Sequence, residues 1–540
     1  DDVESIDFTA RGGADKIVVN DLSGTDVVEV NVNLAANPEA NPNAGDGAAD
    51  EVIVHATGGD DVAVIVGDAS GVSVLGLAAQ VNITGAEGAF DKLHIFAGDG
   101  DDVIEASGVA PGSIGLVLDG GNGDDIIIGS DGDDVLIGGP GDDVLIGGAG
   151  NDTASGGAGN DQIMYYGANA GIDTVNGGSG VDMFDARALG SAVWVDLAFL
   201  GVEAWTSGVA TATDTNATTQ IADLTSIEDI VGSDFADTLR GDGGNNTIIG
   251  LQGDDVIDGR AGDDILIAGA GNDTVMGGDG NDSIRYYGAN AGTDTVNGGT
   301  GIDTFDLSSF GSAGWVDLTY ADGKVWTQDA PDLTSGTWRK AAELTSVENI
   351  VGTAFSDAIA GDTQDNRIGY TGGYDTIDGR GGVDTIDFSG FGSAIWVDLT
   401  YTDGEAWTQD APNLTGGTWR KAAELSGVEN IAGTGLADAL AGDAGANRID
   451  GGAGNDTLIG RGGADTFVFR AGYAHDTVND FTSGDAIELS GFAGLTTFND
   501  LVSHATQQGT DTLIDFGAGD QLLLHNVLKT NLTAADFHFV

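Results

Sequence analysis

The chain contains no cysteine, only 6 prolines in 540 residues, and 18 lysines and arginines against 87 aspartates and glutamates. Without cysteine there can be no disulfide, no zinc–thiolate centre and no thiol nucleophile. The shortage of cations leaves a formal net charge of −69. That excludes nucleic acid as a partner, because phosphate binding needs a basic surface, and it disfavours an anionic membrane face. No apolar run approaches the roughly 20 residues that a membrane-spanning helix needs, so membrane insertion is not expected. Residues 1–30 lack a basic segment followed by an apolar one, and the chain starts at Asp1. That start reads as a processed or truncated one, with further sequence upstream.

What the chain does have is 92 glycines and a hydrophobic content of 41%. Acidic chains are often disordered, but this much apolar residue can bury a core. Glycine at this density without a Gly-X-Y period excludes collagen and points to many tight turns. The length suggests several modules.

From Gly120 the sequence falls into nine-residue blocks, GGNGDDIII, GSDGDDVLI, GGPGDDVLI, GGAGNDTAS and GGAGNDQIM. After Tyr165-Tyr166-Gly167 come ANAGIDTVN and GGSGVDMFD, ending at Asp185. The same arrangement recurs from Gly241 to Asp306, and runs of three blocks lie at Gly361–Asp387 and Gly442–Val468. The template is G-G-x-G-x-D-x-(apolar)-x. Glycines at one, two and four suit a tight turn with positive φ and close backbone approach. Aspartate at six offers a hard oxygen, and with the turn's carbonyls suits the six to eight oxygens of calcium. The apolar eighth residue (Ile127, Leu136, Leu145, Ile163, Ile257, Leu266, Val275, Ile284) is expected to point inward from a short strand. Such strands, regularly spaced, stack into a solenoid.

These blocks resemble the RTX (repeat-in-toxin, haemolysin-type) nonapeptide of secreted exoproteins. The resemblance implies an all-β fold: a right-handed parallel β-roll or β-solenoid of calcium-binding repeats, two blocks per coil, with β-rich decorations between arrays. It implies multiple Ca2+ ions held between successive coils by position-six aspartates and main-chain carbonyls. Carried over residue by residue, the ligands would be Asp125, Asp134, Asp143, Asp152, Asp161, Asp173 and Asp182, then Asp255, Asp264, Asp273, Asp282, Asp294 and Asp303. Asp375, Asp384, Asp456 and Asp465 would serve the shorter arrays. Asn246, Asn366 and Asn447 open their arrays at position six, where an amide brings no charge, so weak or empty sites are expected there. Serine at position two of Gly129–Ile137 departs from the template.

Between arrays, G-S-A-x-W-V-D-L recurs at Gly190, Gly311 and Gly392, and all eight tryptophans lie in these three copies. Their aromatic clusters suit covering a solenoid wall or packing against a neighbour, with sugar stacking as a second use. The paired Trp338-Arg339 and Trp419-Arg420 have the composition of binding hot spots, and their arginines are expected to find carboxylates on a neighbouring molecule. Residues 1–119 follow a longer ruler: Asp15, Asp50 and Asp91 head apolar strands, and partner strands follow Asp26, Asp61 and Asp102. Residues 37–46 read as a loop. The C-terminal DTVNDF and LTAADFHFV segments resemble the region after the arrays in serralysin-type proteins and an uncleaved type I secretion signal.

The expected organisation is therefore N-terminal solenoid coils at 1–119, a first roll at 120–185, and a Trp-containing linker module at 186–240. A second roll at 241–306 and a module at 307–360 follow, then a short array at 361–387, a module at 388–441, a short array at 442–468, and a C-terminal cap with the secretion signal at 469–540. No catalytic motif is found: no histidine precedes glutamate as in a zinc H-E-x-x-H helix, and no serine has glycine at both flanking second positions. The reading is a non-enzymatic, extracellular, calcium-folded structural protein that self-associates as a surface layer, fibre or matrix. The alternatives are the non-catalytic RTX part of a secreted enzyme, and an adhesin or carbohydrate-binding module that takes cell-surface glycans.

Overall fold

The computed structural model describes residues 3–39, 41, 43–166, 171–207, 219–287, 292–322, 324–402 and 404–540. It divides into two units, Asp1–Asp279 and Gly280–Val540. The first residues of the block ANAGIDTVN and residues 40 and 42 of the expected loop lie outside the described residues; the rest of that loop carries neither helix nor strand.

In the first unit each coil gives one strand to each of two parallel rows. One row runs through Lys16–Val19, Glu51–His55, Lys92–Asp99, Gly115–Asn122, Val135–Pro140, Thr153–Ala158 and Asp173–Ser179. The other runs through Val62–Asp68, Val103–Val109, Ile126–Ile128, Val144–Ile146, Gln162–Tyr166 and Met183–Ala188. The sequence offset between stacked aspartates shrinks from 35 and 41 residues to 23 and then 18. Eighteen is two nonapeptides, so two blocks make one coil. A strand only three residues long can aim one side chain inward. Ile127 and Leu145 on such strands do so and are fully buried, as is Leu136 on the longer Val135–Pro140. Ile163, Ile257, Leu266 and Val275 are buried as well.

The second unit repeats the plan. Ser283–Arg285, Thr304–Asp306, Asn349–Val351, Arg367–Gly369, Thr385–Asp387, Asn430–Ala432 and Arg448–Asp450 form one parallel row, continued by Thr466–Arg470, Ala486–Ser490 and Phe537–Phe539. The Trp-containing segments extend the stack sideways: Gly314–Asp317 pairs antiparallel with Val325–Thr327, which pairs antiparallel with Arg339–Thr345. Arg339–Thr345 in turn lies parallel to Asp294–Thr300. The C-terminal region closes with an antiparallel sheet, a short helix Phe498–His504, and Phe469, Phe492 and Phe516 in mutual contact.

Candidate metal centre

Asp143 shows how a nonapeptide turn is built. Its Oδ1 accepts the main-chain N–H of Asp125 at 2.8 Å, and its own N–H donates to Oδ1 of Asp161 at 2.9 Å. The same ladder runs from Asp102 through Asp125, Asp143 and Asp161 to Asp182, whose N–H ends on the Glu228 carboxylate. One oxygen of each aspartate thus staples neighbouring coils. The other oxygen is left over. Oδ2 of Asp125, Asp143, Asp152, Asp161 and Asp182 is buried with no hydrogen-bond partner among the described residues, and so is that of Asp255, Asp303, Asp375, Asp384 and Asp456.

All seventeen aspartates named from the sequence are buried, none more than 4% exposed. Burial, reinforced by neighbouring carboxylates, pushes Asp143 up to about 7, Asp152 to about 8, and Asp255 and Asp456 to about 9. A buried charged acceptor without a donor costs more than the ~1–3 kcal/mol of a neutral one. Each row therefore holds carboxylates that a divalent cation would stabilise.

The main chain supplies the rest. No three carboxylate or imidazole side chains converge among the described residues, so remaining ligands must be carbonyl or water oxygens. The glycines bring carbonyls within reach. Gly139 at position two (φ +125°) leaves no room for a side chain against the Gly121 carbonyl one coil back, and Gly141 (φ +145°) none against that of Gly123. At position one, a side chain on Gly138 would collide with both Asp143 Oδ2 and the Gly156 carbonyl of the next coil. A free carboxylate oxygen and a carbonyl of the following coil thus border one space. Hard oxygens, in this number and without nitrogen or sulfur, fit calcium.

Other turns are closed by the protein itself, several of them from position two. Ser130 donates its N–H and hydroxyl to Oδ2 of Asp134, at 2.6 and 2.8 Å. Ser233, Thr353 and Thr434 do the equivalent for Asp237, Asp357 and Asp438. These three turns, at Gly232, Gly352 and Gly433, are nonapeptides in shape that the sequence reading missed. Their signal was an Asp on the nine-residue ruler one block upstream of each array, masked by Ser or Thr in place of glycine. Asn246, Asn366 and Asn447 are closed differently: each accepts the N–H of the aspartate at position two and donates its amide to a carbonyl 18 residues earlier.

A family model described as RTX calcium-binding nonapeptide repeat (4 copies) matches residues 117–145, 137–165, 168–188, 231–266, 249–284, 289–306 and 433–467. Those residues carry RTX calcium-binding nonapeptide repeats. The repeats bind calcium, several ions along the chain. Among solved structures the chain is similar to the extracellular lipase LipA from Serratia marcescens, with 16% identity over 61% of this chain and a TM-score of 0.17. The match spans 42% of the lipase chain. No curated protein matches.

In the RTX arrays three position-two residues are arginines in left-handed conformation, Arg260, Arg380 and Arg461, with φ of 76°, 71° and 70°. Each reaches back to the W-V-D strand of the preceding Trp segment: Arg260 to Asp196 at 2.7 Å, Arg380 to Asp317 at 2.7 Å, Arg461 to Asp398 at 2.6 Å. Each also donates to the carbonyl of Gly241, Gly361 or Gly442. A guanidinium can make both bonds at once. These clamps tie each Trp segment to the array that follows it.

In the second and third segments four aromatic side chains line a cleft. Trp315, Tyr320, Trp326 and Trp338 border 300 Å3, and Trp396, Tyr401, Trp407 and Trp419 border 390 Å3. Trp315 and Trp396 meet Tyr320 and Tyr401 edge-on at 5.2 and 5.5 Å. Trp338 and Trp419 remain 45% and 44% exposed. The arginines beside them do not await another molecule. Arg339 pairs with Asp329 at 2.9 Å and Arg420 with Asp410 at 2.8 Å, carboxylates of the chain itself where those of a neighbouring molecule were expected. In the first segment Trp194 is instead buried against Ala192, Trp205 and Phe235.

Proposed function

We propose that this is an extracellular, calcium-folded structural protein, exported unfolded by a type I system, that associates with copies of itself in a layer, fibre or matrix. The observation that supports it most is the row of buried aspartates whose second oxygens the protein leaves open. Position six of each open turn would be the calcium ligand, with main-chain carbonyls completing the shell. Bound calcium supplies positive charge that relieves repulsion between stacked coils. A chain of formal charge −69 repels itself until that happens. In calcium-poor cytosol it would stay threadable, and calcium outside would lock it.

Exposed Trp338 and Trp419 supply the apolar surface for association. The test is light scattering of the purified chain at millimolar calcium. Calcium-driven ordered particles, lost in a Trp338→Ala/Trp419→Ala variant that still folds, are expected. A chain that stays monomeric at high concentration would defeat the assembly reading. A second reading is favoured by the concave shape of the two clefts: aromatic faces of this kind stack on sugar rings. Glycan-array binding lost in the same variant, without assembly, would select it. The proposal assigns the chain no catalysis, and turnover of ester or peptide substrates by the purified protein would overturn that part.

A further inference from the structure

The rows of open carboxylate oxygens do not coincide with the nonapeptide arrays. Asp102 lies before the first array and Asp476 after the last, both outside the residues that the repeat family matches. Each is 1% exposed, and Oδ2 of each is buried without a hydrogen-bond partner among the described residues. Each takes part in the same ladder: Asp102 Oδ1 accepts the N–H of Asp61 at 2.7 Å, and Asp476 Oδ1 that of Asp456 at 2.9 Å. At position two of these turns stand Gly98 and Gly472, with φ of 121° and 92°. Gly472 donates its N–H to Asp520 Oδ2 at 2.9 Å, away from Asp476, and Gly121, Gly139 and Gly157 are likewise left-handed at position two of the open turns of Asp125, Asp143 and Asp161.

The asparagine turns show the opposite arrangement. The Asn246 side-chain oxygen accepts the N–H of Asp242 at 2.9 Å, and its amide nitrogen donates to the Glu228 carbonyl at 2.7 Å. Asn366 bonds the Glu348 carbonyl at 2.8 Å and Asn447 that of Glu429 at 2.7 Å. Where an aspartate and a carbonyl need a cation between them, the amide places its own N–H. Asparagine here bonds that carbonyl itself, at turns where weak or empty sites were expected from the sequence.

We infer that calcium occupancy follows the open second oxygen and not the repeat. Calcium sites therefore extend to Asp102 and Asp476 and skip the turns closed by asparagine at 246, 366 and 447 or by Ser/Thr at position two, including Asp134. The inference rests on the reading that position six binds calcium through that oxygen. Its consequence is that each Trp segment is followed by two metal-independent coil junctions, for instance Ser233–Asp237 and Asp242–Asn246, before the metal-dependent turns begin.

The test counts calcium bound per intact chain by equilibrium dialysis and native mass spectrometry at saturating calcium. Circular dichroism confirms the fold of each variant. Asp102→Asn and Asp476→Asn keep the ladder acceptor and should each lose one ion, whereas Asn447→Asp, paired with Asp443→Gly to open position two, should gain one. An unchanged count in both aspartate variants overturns the added sites. An unchanged count, or failure to fold with calcium present, in the Asn447→Asp/Asp443→Gly variant overturns the substitution. A wild-type chain that binds no calcium would instead sink the reading of the repeats, a separate failure visible before any variant is made.

Discussion

The N-terminal coils and the nonapeptide arrays of the first unit share one aspartate ladder and differ in what satisfies it. In the N-terminal coils Asp15 N–H bonds Asp50 Oδ1 and Asp50 N–H bonds Asp91 Oδ1, at 2.8 and 2.9 Å, as in the arrays. But Asp61 Oδ2 accepts the N–H and hydroxyl of Thr57 at 2.7 and 2.6 Å, and Asp91 Oδ2 accepts the N–H of Glu87 at 2.7 Å. The strands differ too. Lys92–Asp99 buries three alternate side chains, whereas Ile126–Ile128 and Val144–Ile146 each bury one. Where the coil is long, side chains fill the core and the turn closes itself. Where it shrinks to 18 residues, the core thins to single side chains and turns such as those of Asp125 and Asp143 leave an oxygen open.

Chelation should split the two regions most sharply. With calcium removed, hydrogen exchange of residues 120–185 and 442–468 should rise to near the unprotected rate, while residues 51–55 and 92–96 stay protected. Protection should return at calcium on the order of 0.1–1 mM, the range of extracellular calcium modules. Uniform loss, or none, would erase the distinction.

A single ligand should matter next. Asp143→Ala should shift the calcium midpoint of folding upward by about tenfold, on the order of 1.4 kcal/mol, because it removes both a ladder acceptor and an open oxygen. Asn447→Ala should lower stability with a smaller shift in that midpoint. Equal shifts would remove position six from the ligand shell.

Thr57→Val probes the self-closed side of the comparison. It deletes the hydroxyl donor to Asp61 and should cost roughly 1–2 kcal/mol, read by denaturant melting of the N-terminal coils in chelator. A cost that appears only when calcium is present would mean that these coils are metal-dependent after all.

The smallest effect concerns pH. Burial holds Asp143 and Asp152 near 7 and 8, above the ordinary 3.8, so the folded metal-free chain binds protons more tightly than the unfolded one. Its stability must then fall as pH rises from about 4 through 8 and grow on acidification. In chelator, lowering the pH from 8 to 5 should restore part of the array protection.

Much of this was legible in the residues. The nine-residue period placed the inward side chains, and the aspartates at Asp15, Asp50 and Asp91 announced the longer coils, because a period records which positions share an environment. The cryptic turns at Gly232, Gly352 and Gly433 were not read, since Ser or Thr broke the glycine template. The arginines of GTWRK were misjudged because their partners, Asp329 and Asp410, lie across a strand pair that the linear sequence does not display.

By itself the sequence determined the parallel coil, the buried aspartate rows and their fit to calcium, because spacing and residue type alone dictate them. Which turns stay open was decided only in three dimensions. Thr353 and Thr371 stand at the same place, four residues before Asp357 and Asp375. Thr353 gives its hydroxyl to Asp357, but that of Thr371 turns to the Gly352 carbonyl at 2.9 Å, and Asp375 keeps an open oxygen. Arg260, Arg380 and Arg461 hold the left-handed position that glycine usually fills, at a cost of about 1–2 kcal/mol each. They can do so because Asp196, Asp317 and Asp398, over sixty residues away in sequence, lie within reach of their guanidinium groups. A hydroxyl or a guanidinium bonds whatever acceptor the packing brings near, and only the folded coil stack sets that neighbour.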